Sequence, residues 1–410
     1  MLSQEAPYRR GLPGNELLDQ PDDVLQGEAS CVGERGQVDG AAVDQRAQPV
    51  LVYADVMWVL GTAPTSEVMN VARTPRTSCL DGMSALVTGG SRGLGLLLSA
   101  RLAQRGCLVT MAARDEDELR RGAAWAEERT GRPLSTVVCD VRDREAVEGA
   151  LRQVESSHGG LDIVIANAGV IQVAPVASLD SGAFEDAMAT IFGGTVNAAM
   201  AALPRLLCSD GGGRLCLIGS VGGLLAVPHL LPYSCAKAAV GALGEGLRAE
   251  TAGSGLSVTT VHPGLMRTGS HLQAEFGGRS SEEFAWFSAL AGAPVVSMGA
   301  ERAAERIIRA VERRRTRLVL TPAARAAGVV HGLAPATVTR LSGLAARLLP
   351  QAPPADTDAD RLNGGGFEQG HDVDRSSLTW TEKVRRMGSG LNDRAVRRYN
   401  QQTPGPPTSA

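Results

Sequence analysis

Tyr233 and Lys237 stand four residues apart in the stretch LLPYSCAKAAV, residues 230–240. Of 41 Lys+Arg residues in the 410-residue chain only two are lysines, and only four residues are tyrosines. Between residues 81 and 350 this pair is the only Tyr and the only Lys. On a helix, positions i and i+4 share a face, so a phenol and an ammonium here point together into one cleft. A phenol with a reference pKa of ~10 is a poor base near neutrality, and an adjacent ammonium favours the phenolate and lowers that value. The competing reading is chance retention of one lysine. Ser220 ends the apolar run RLCLIGS, 13 residues before Tyr233. Taken alone, a serine at a strand end marks only a turn.

A second constellation is TGGSRGLG, Thr88 to Gly95, which follows the apolar run SALV and opens the helical stretch LLLSARLAQRG. A pyrophosphate needs backbone that approaches closely and N–H groups at a helix N-terminus; glycines supply the first and a strand-to-helix turn the second. A plain glycine loop is the bland alternative. The run after the next strand, VTMAARDEDEL, has Ala113 followed by Arg114.

These residues need a scaffold, and the chain alternates short apolar runs with longer helical patterns from about residue 81. The strand candidates are 84–90, 107–113, 135–140, 161–169, 214–220, 256–264 and 317–322. Each is largely unalternating, as a strand buried on both faces should be. Strands alternating with helices imply right-handed βαβ units, hence an α/β fold: a doubly wound Rossmann-type parallel sheet of about seven strands with helices on both faces. Residues 1–80 and 351–410 show little sustained periodicity and read as disordered or loosely docked extensions of an 81–350 domain. A fusion or a mis-assigned start is the other reading of the first.

Hydrophobic residues make up 43% and charged residues 21%, and the net charge of -3 gives no global pull toward nucleic acid. The seven cysteines show neither C-x-x-C pairs nor zinc-ligand spacing, so buried free thiols in a reducing compartment are expected rather than disulfides, and no metal. No run approaches the ~20 apolar residues of a membrane span, and the N-terminus lacks a signal-peptide pattern, so the expected location is cytoplasmic.

With its G-x-x-x-G-x-G spacing of Gly89, Gly93 and Gly95, the sequence NAG at 167–169, and Y-x-x-x-K in this order, the chain resembles the short-chain dehydrogenase/reductase family over residues 81 to 322. The resemblance implies hydride transfer between a nicotinamide cofactor and a carbonyl or alcohol carbon. It makes Tyr233 the general acid/base, Lys237 its pKa modifier and ribose anchor, and Ser220 the carbonyl polariser. Cofactor contacts are implied for Thr88, Gly89, Ser91, Arg92, Gly93, Leu94, Gly95, Arg114, Asp140, Val141, Asn167, Ala168, Gly169, Tyr233, Lys237, Pro263, Gly264 and Thr268. In the family an acid ends the second strand when the cofactor is NAD(H); here Ala113 takes that place and Arg92 and Arg114 lie nearby, so NADP(H) is expected over NAD(H). The alternative is that Arg114 starts a solvated helix capped by Asp115. One departure from the family is Ile191, at the position of an asparagine in the family's N-x-x-G. Either another group supports the proton relay, or the enzyme is slow. A low-turnover cofactor-binding sensor is the rival reading.

The substrate side is less defined. Residues 269–298 hold Phe276, Phe284, Trp286 and Phe287, which read either as a lid over an apolar carbonyl or alcohol substrate or as a helix packing on the core. Residues 313–350 join arginines to an apolar stretch, open to peripheral membrane contact or to packing against the domain or a second subunit. The family resemblance implies a homodimer or homotetramer.

Overall fold

The computed structural model describes residues 78–293, 297–352, 366–376, 394–396 and 398–401. The expected extension over residues 1–80 lies outside them except for its last three residues. Seven strands build the central sheet: β1 (Ser84–Thr88), β2 (Leu108–Ala113), β3 (Ser135–Val138), β4 (Ile163–Ala166), β5 (Arg214–Ile218), β6 (Ser257–His262) and β7 (Arg317–Val319). Their order is β7-β6-β5-β4-β1-β2-β3, with every pairing parallel. The chain runs outward from β1 to β3 and then restarts on the other side of β1 with β4. In such a sheet the crevice at the carboxyl ends of β1 and β4 is where a ligand sits.

Strands β1, β4 and β5 are buried along their whole length, which is why their sequences are largely apolar without alternation, and β6 is equally buried although it carries Ser257, Thr259, Thr260 and His262. The expected runs 84–90 and 161–169 overshoot the ladders; in the first, Gly89 takes φ +62° and turns the chain out of the sheet. Helices α1 (Gly93–Ala103) and α8 (Ala300–Glu312) pack on one face of the sheet. Helices α3 (Arg144–His158), α5 (Gly194–Leu207) and α6 (Leu231–Glu250) pack on the other. Asp115 caps α2 (Glu116–Thr130) by accepting from the Glu118 N–H at 2.7 Å, and Asp143 caps α3 through the Glu145 and Ala146 N–H groups. The continuous helix Ser181–Leu207 is long and apolar enough to cross a membrane, yet its Ala198, Ala199, Ala202 and Leu206 are core residues. It consists of α4 (Ser181–Ala187), a π-helical turn at Met188–Gly193, and α5.

The aromatic-rich stretch divides in two. Phe276 and Phe284 are fully buried in a small cluster with Val173, Leu230 and Val373, whereas Trp286 and Phe287 of α7 (Ser280–Gly292) also face the cleft. Glu283, 0% exposed, ties α7 to the loop before α6. Its carboxylate meets His229 Nδ1 at 2.9 Å and accepts from Trp286 Nε1 at 2.6 Å. Helices α9 (Pro322–Leu333) and α10 (Pro335–Ala346) follow; α9 buries only Ala324 and α10 no residue at all. The segment packs on its own domain only in part, through Ala324 against Gly264, Gly328 against Leu224, and Ala345 and Leu349 beside Trp286 and Leu290. Two parts of the C-terminal segment dock on the domain. Glu368–Gln369 extends a small sheet beside Glu275–Phe276 and leads into α11 (Gly370–Ser376), and residues 394–401 reach the glycine turn. Among the described cysteines, Cys107, Cys139 and Cys216 are buried, while Cys79, Cys208 and Cys235 are exposed, and none is in a disulfide. Cys31 lies outside the described residues.

Candidate active site

A cavity of about 730 Å³ opens at the carboxyl ends of β1 and β4. Every expected cofactor or catalytic residue lines it except Thr88. Thr88 lies beneath the turn, where its hydroxyl accepts the Asn167 N–H at 3.0 Å and the Ala168 N–H at 3.2 Å. Asn167 returns the tie by donating from Nδ2 to the carbonyls of Thr88 and Gly89. This exchange clamps the ends of β1 and β4 and fixes the shape of the turn. Gly95 is obligatory there, since a Cβ would stand 2.0 Å from the Gly89 carbonyl oxygen. Gly93, at φ +55°, turns a bare face to the cleft, and α1 begins behind Arg92 with no side-chain cap. Close-approaching backbone and a helix N-terminus without a side-chain cap together fit a dinucleotide pyrophosphate.

At the outer end, Arg92 and the exposed Arg114 flank the cleft, and Asp115 and Glu118 lie there too. Asp115 is committed to the α2 cap. Glu118 accepts from the Ser91 hydroxyl and pairs with Arg92 at 2.7 Å. Asp140 is held by Arg142 at 2.6 Å, which keeps its carboxyl below the usual carboxylate range, and Val141 is nearly buried beside it.

Ser220, Tyr233 and Lys237 converge at the inner end. Ser220 leaves β5 in extended conformation, its hydroxyl accepts the Gly222 N–H at 3.0 Å, and it lies beside the Tyr233 ring over Gly222. Lys237 is 5% exposed, donates to the Ile218 carbonyl at 2.6 Å, and holds Nζ 5.8 Å from the Tyr233 ring centre. Burial pushes the Lys237 ammonium down to about 8. Burial also pushes the Tyr233 phenol up, and the neighbouring Ser220 hydroxyl opposes it only in part. The expected lowering by Lys237 is not seen; desolvation dominates and disfavours both charged forms. A phenol held protonated beside a serine hydroxyl can donate a proton to a developing alkoxide.

Around this trio, His262 presents Nδ1 to the Ser220 carbonyl at 3.2 Å, and burial drives its pKa down to about 4, so it is a neutral support. Pro263 accepts the Val221 N–H at 2.8 Å, Gly264 packs against Thr321, and Thr268 is buried at the cleft floor. Gly169 faces Ile191 and Lys237. Ile191 is 0% exposed within the π-helical turn, its carbonyl accepting the Thr195 hydroxyl at 2.6 Å. Asn197, the nearest asparagine on this helix, donates instead to the Val141 carbonyl at 2.9 Å.

The family model described as short chain dehydrogenase matches residues 83–275. A gluconate 5-dehydrogenase of Gluconobacter oxydans is 35% identical over 197 residues, 47% of this chain and 75% of that protein. The chain belongs to the short-chain dehydrogenases. A dehydrogenase/reductase SDR family protein 7-like of Anopheles gambiae is 31% identical over 261 residues, 62% of this chain and 80% of that one. The same fold is seen in the L-sorbose reductase of Gluconobacter frateurii, solved with NADPH and L-sorbose: TM-score 0.52, 22% identity, 58% of this chain and 95% of that chain covered. This short-chain dehydrogenase is accordingly an oxidoreductase of alcohol and carbonyl groups whose fold binds a nicotinamide cofactor.

Sequence reading did not find Glu118, His262 as a support for Ser220, or the C-terminal residues at the glycine turn. The Tyr399 carbonyl accepts the Gly93 N–H at 3.0 Å, and Gln401 lines the cleft. No local pattern signals a contact between residues some 300 positions apart.

Proposed function

We propose that this enzyme is an NADP(H)-dependent reductase of an apolar carbonyl compound, working in the reverse direction on the alcohol. The convergence of Ser220 and Tyr233 at the cleft floor, with Lys237 buried beside them, carries the reading. The cofactor, when bound, supplies or takes up the hydride. Ser220 polarises the carbonyl, Tyr233 delivers the proton to its oxygen, and Lys237, anchored on the Ile218 carbonyl, faces the ribose side of the cleft. NADP(H) is favoured because Arg114 stands exposed at the cleft beside Ala113, while Asp115 is committed to a cap and Glu118 to Ser91 and Arg92. An apolar substrate fits a mouth formed by Val227, Leu230, Trp286, Phe287 and Leu290. Titrated with each dinucleotide and followed by tryptophan fluorescence, the protein is expected to bind NADPH at least about tenfold tighter than NADH, a difference of ~1.4 kcal/mol. Turnover of apolar ketones should accompany it; equal affinities would remove the cofactor preference.

The same proposal places the protein in the cytoplasm, as a homodimer or homotetramer, with the α9–α10 hairpin resting on an anionic lipid surface. Leu333, Leu341, Leu344 and Leu348 are 55–88% exposed there. Arg325, Arg340 and Arg347 are exposed beside them, and residues 313–350 contain no Asp or Glu. Ala345 and Leu349 share an apolar groove with Trp286 and Leu290, so the hairpin adjoins the mouth that an apolar substrate would enter. Full-length protein is expected to sediment with vesicles containing phosphatidylglycerol and not with pure phosphatidylcholine, and to lose this in an Arg340→Glu/Arg347→Glu variant. Failure to bind either vesicle, with the hairpin instead buried in a stable dimer, would overturn the assignment.

A further inference from the structure

The dinucleotide cradle already has a neighbour, and it belongs to the chain itself. A Cβ built on Gly93 would stand 2.5 Å from Nε2 of Gln401, with Thr268 at 4.0 Å. In a dinucleotide fold, this bare glycine face is what lets backbone approach the pyrophosphate. The Gly93 N–H, at the first turn of α1, donates to the Tyr399 carbonyl. A peptide carbonyl is the neutral counterpart of a phosphate oxygen as an acceptor at a helix N-terminus. Asn400 adds two bonds from Nδ2, to the Ser91 carbonyl at 2.9 Å and the Glu118 carbonyl at 3.1 Å. The Gln401 carbonyl accepts from Gln273 Nε2 at 3.3 Å, so the tip bridges from the glycine turn to the opposite wall.

The segment has an anchor distinct from this tip. Ala395 and Tyr399 join the main core cluster, the Tyr399 ring meets Trp125 edge-on at 6.4 Å between centroids, and Arg398 pairs with Glu301 at 2.9 Å. Val396 fills the bare face of Gly269. The tip is less well satisfied: Gln401 is 3% exposed, and its Oε1 is buried without a hydrogen-bond partner. Such an atom carries the desolvation penalty of an unmade bond, so the tip is the part that a competing ligand displaces most readily.

We propose that residues 394–401 form an autoinhibitory plug whose tip, the Tyr399 carbonyl with Asn400 and Gln401, occupies the pyrophosphate position and must swing out before the cofactor binds. The proposal rests on the cleft being the nicotinamide-cofactor site. Apparent affinity for a ligand is reduced by the fraction of molecules in the competent state. With the plug closed in about nine tenths of molecules, an Asn400→Gly/Gln401→Gly variant gains about tenfold in NADPH affinity by calorimetry. In the full chain, NADPH is expected to raise hydrogen exchange at 394–401. A chain ending at residue 393 should match the double variant, and a peptide of residues 394–404 added in trans should lower its affinity again. Unchanged NADPH affinity in every variant overturns the plug while leaving the cofactor site intact. Weakened affinity in the double variant also overturns it, since the segment would then be a clamp over bound cofactor. Failure of all forms to bind either dinucleotide overturns the cofactor site together with the plug.

Discussion

Replacing Tyr233 with phenylalanine is expected to lower carbonyl-reduction turnover by about 10³-fold, the range of a lost general acid, with NADPH affinity unchanged within about twofold. The substitution removes one hydroxyl and keeps the ring, which packs against the second core cluster and lies beside Lys237. What disappears is the proton donor itself. Burial holds this phenol above its ordinary pKa, so at neutral pH the hydroxyl carries its proton and is ready to give it to an alkoxide. Ser220 remains bonded to the Gly222 N–H and can still orient a carbonyl, which leaves some residual rate. NADPH consumption followed by absorbance, with affinity measured separately, checks the split. Turnover within tenfold of the unaltered enzyme would mean that the proton comes from another group, and the site would have to be rebuilt around it.

The parts of this site that were legible in the sequence are those whose chemistry fixes a short spacing. Tyr233 and Lys237 must be one helical turn apart to meet, and Gly89, Gly93 and Gly95 must fall within one strand-to-helix turn. The sheet was legible for a related reason: strands buried on both faces have apolar runs, and helices between them force parallel neighbours. What stayed hidden depends on partners distant in sequence or on competition between forces. Glu118 reads as a first-turn acid of a solvated helix, and only the folded chain brings it to Ser91 and Arg92. The aromatic stretch read equally as lid or core, and it divides: Phe276 and Phe284 turn inward while Trp286 and Phe287 line the cleft. The π-helical turn at Met188–Gly193 has no sequence signature in this chain, yet it sets Ile191 against Gly169. A charge pair written four residues apart says nothing of how dry its site is, and dryness decided the phenol.

Lys237 yields the second large effect, and its direction follows from the same dryness. A buried ammonium with its pKa near 8 has given up about 3 kcal/mol of its preference for the charged form relative to water. Below that pH it is protonated, donates to the Ile218 carbonyl, and presents positive charge near the phenol; above it the charge is lost. The kcat/KM for reduction is therefore expected to decline as pH rises through about 8, and Lys237→Met should cost about 10²-fold at pH 7 and abolish that decline. Unfolding does not mimic this limb. Between about 8 and 10.5 the unfolded chain holds the Lys237 proton that the folded chain has released, so this group makes stability rise with pH. The buried thiols of Cys107 and Cys216, pushed up to about 12, oppose it only once pH exceeds the ordinary thiol value of 9.0. Melting temperatures recorded alongside the rates separate the two. A descending limb that survives in Lys237→Met would assign the titration to a different group and leave Lys237 a purely positional role.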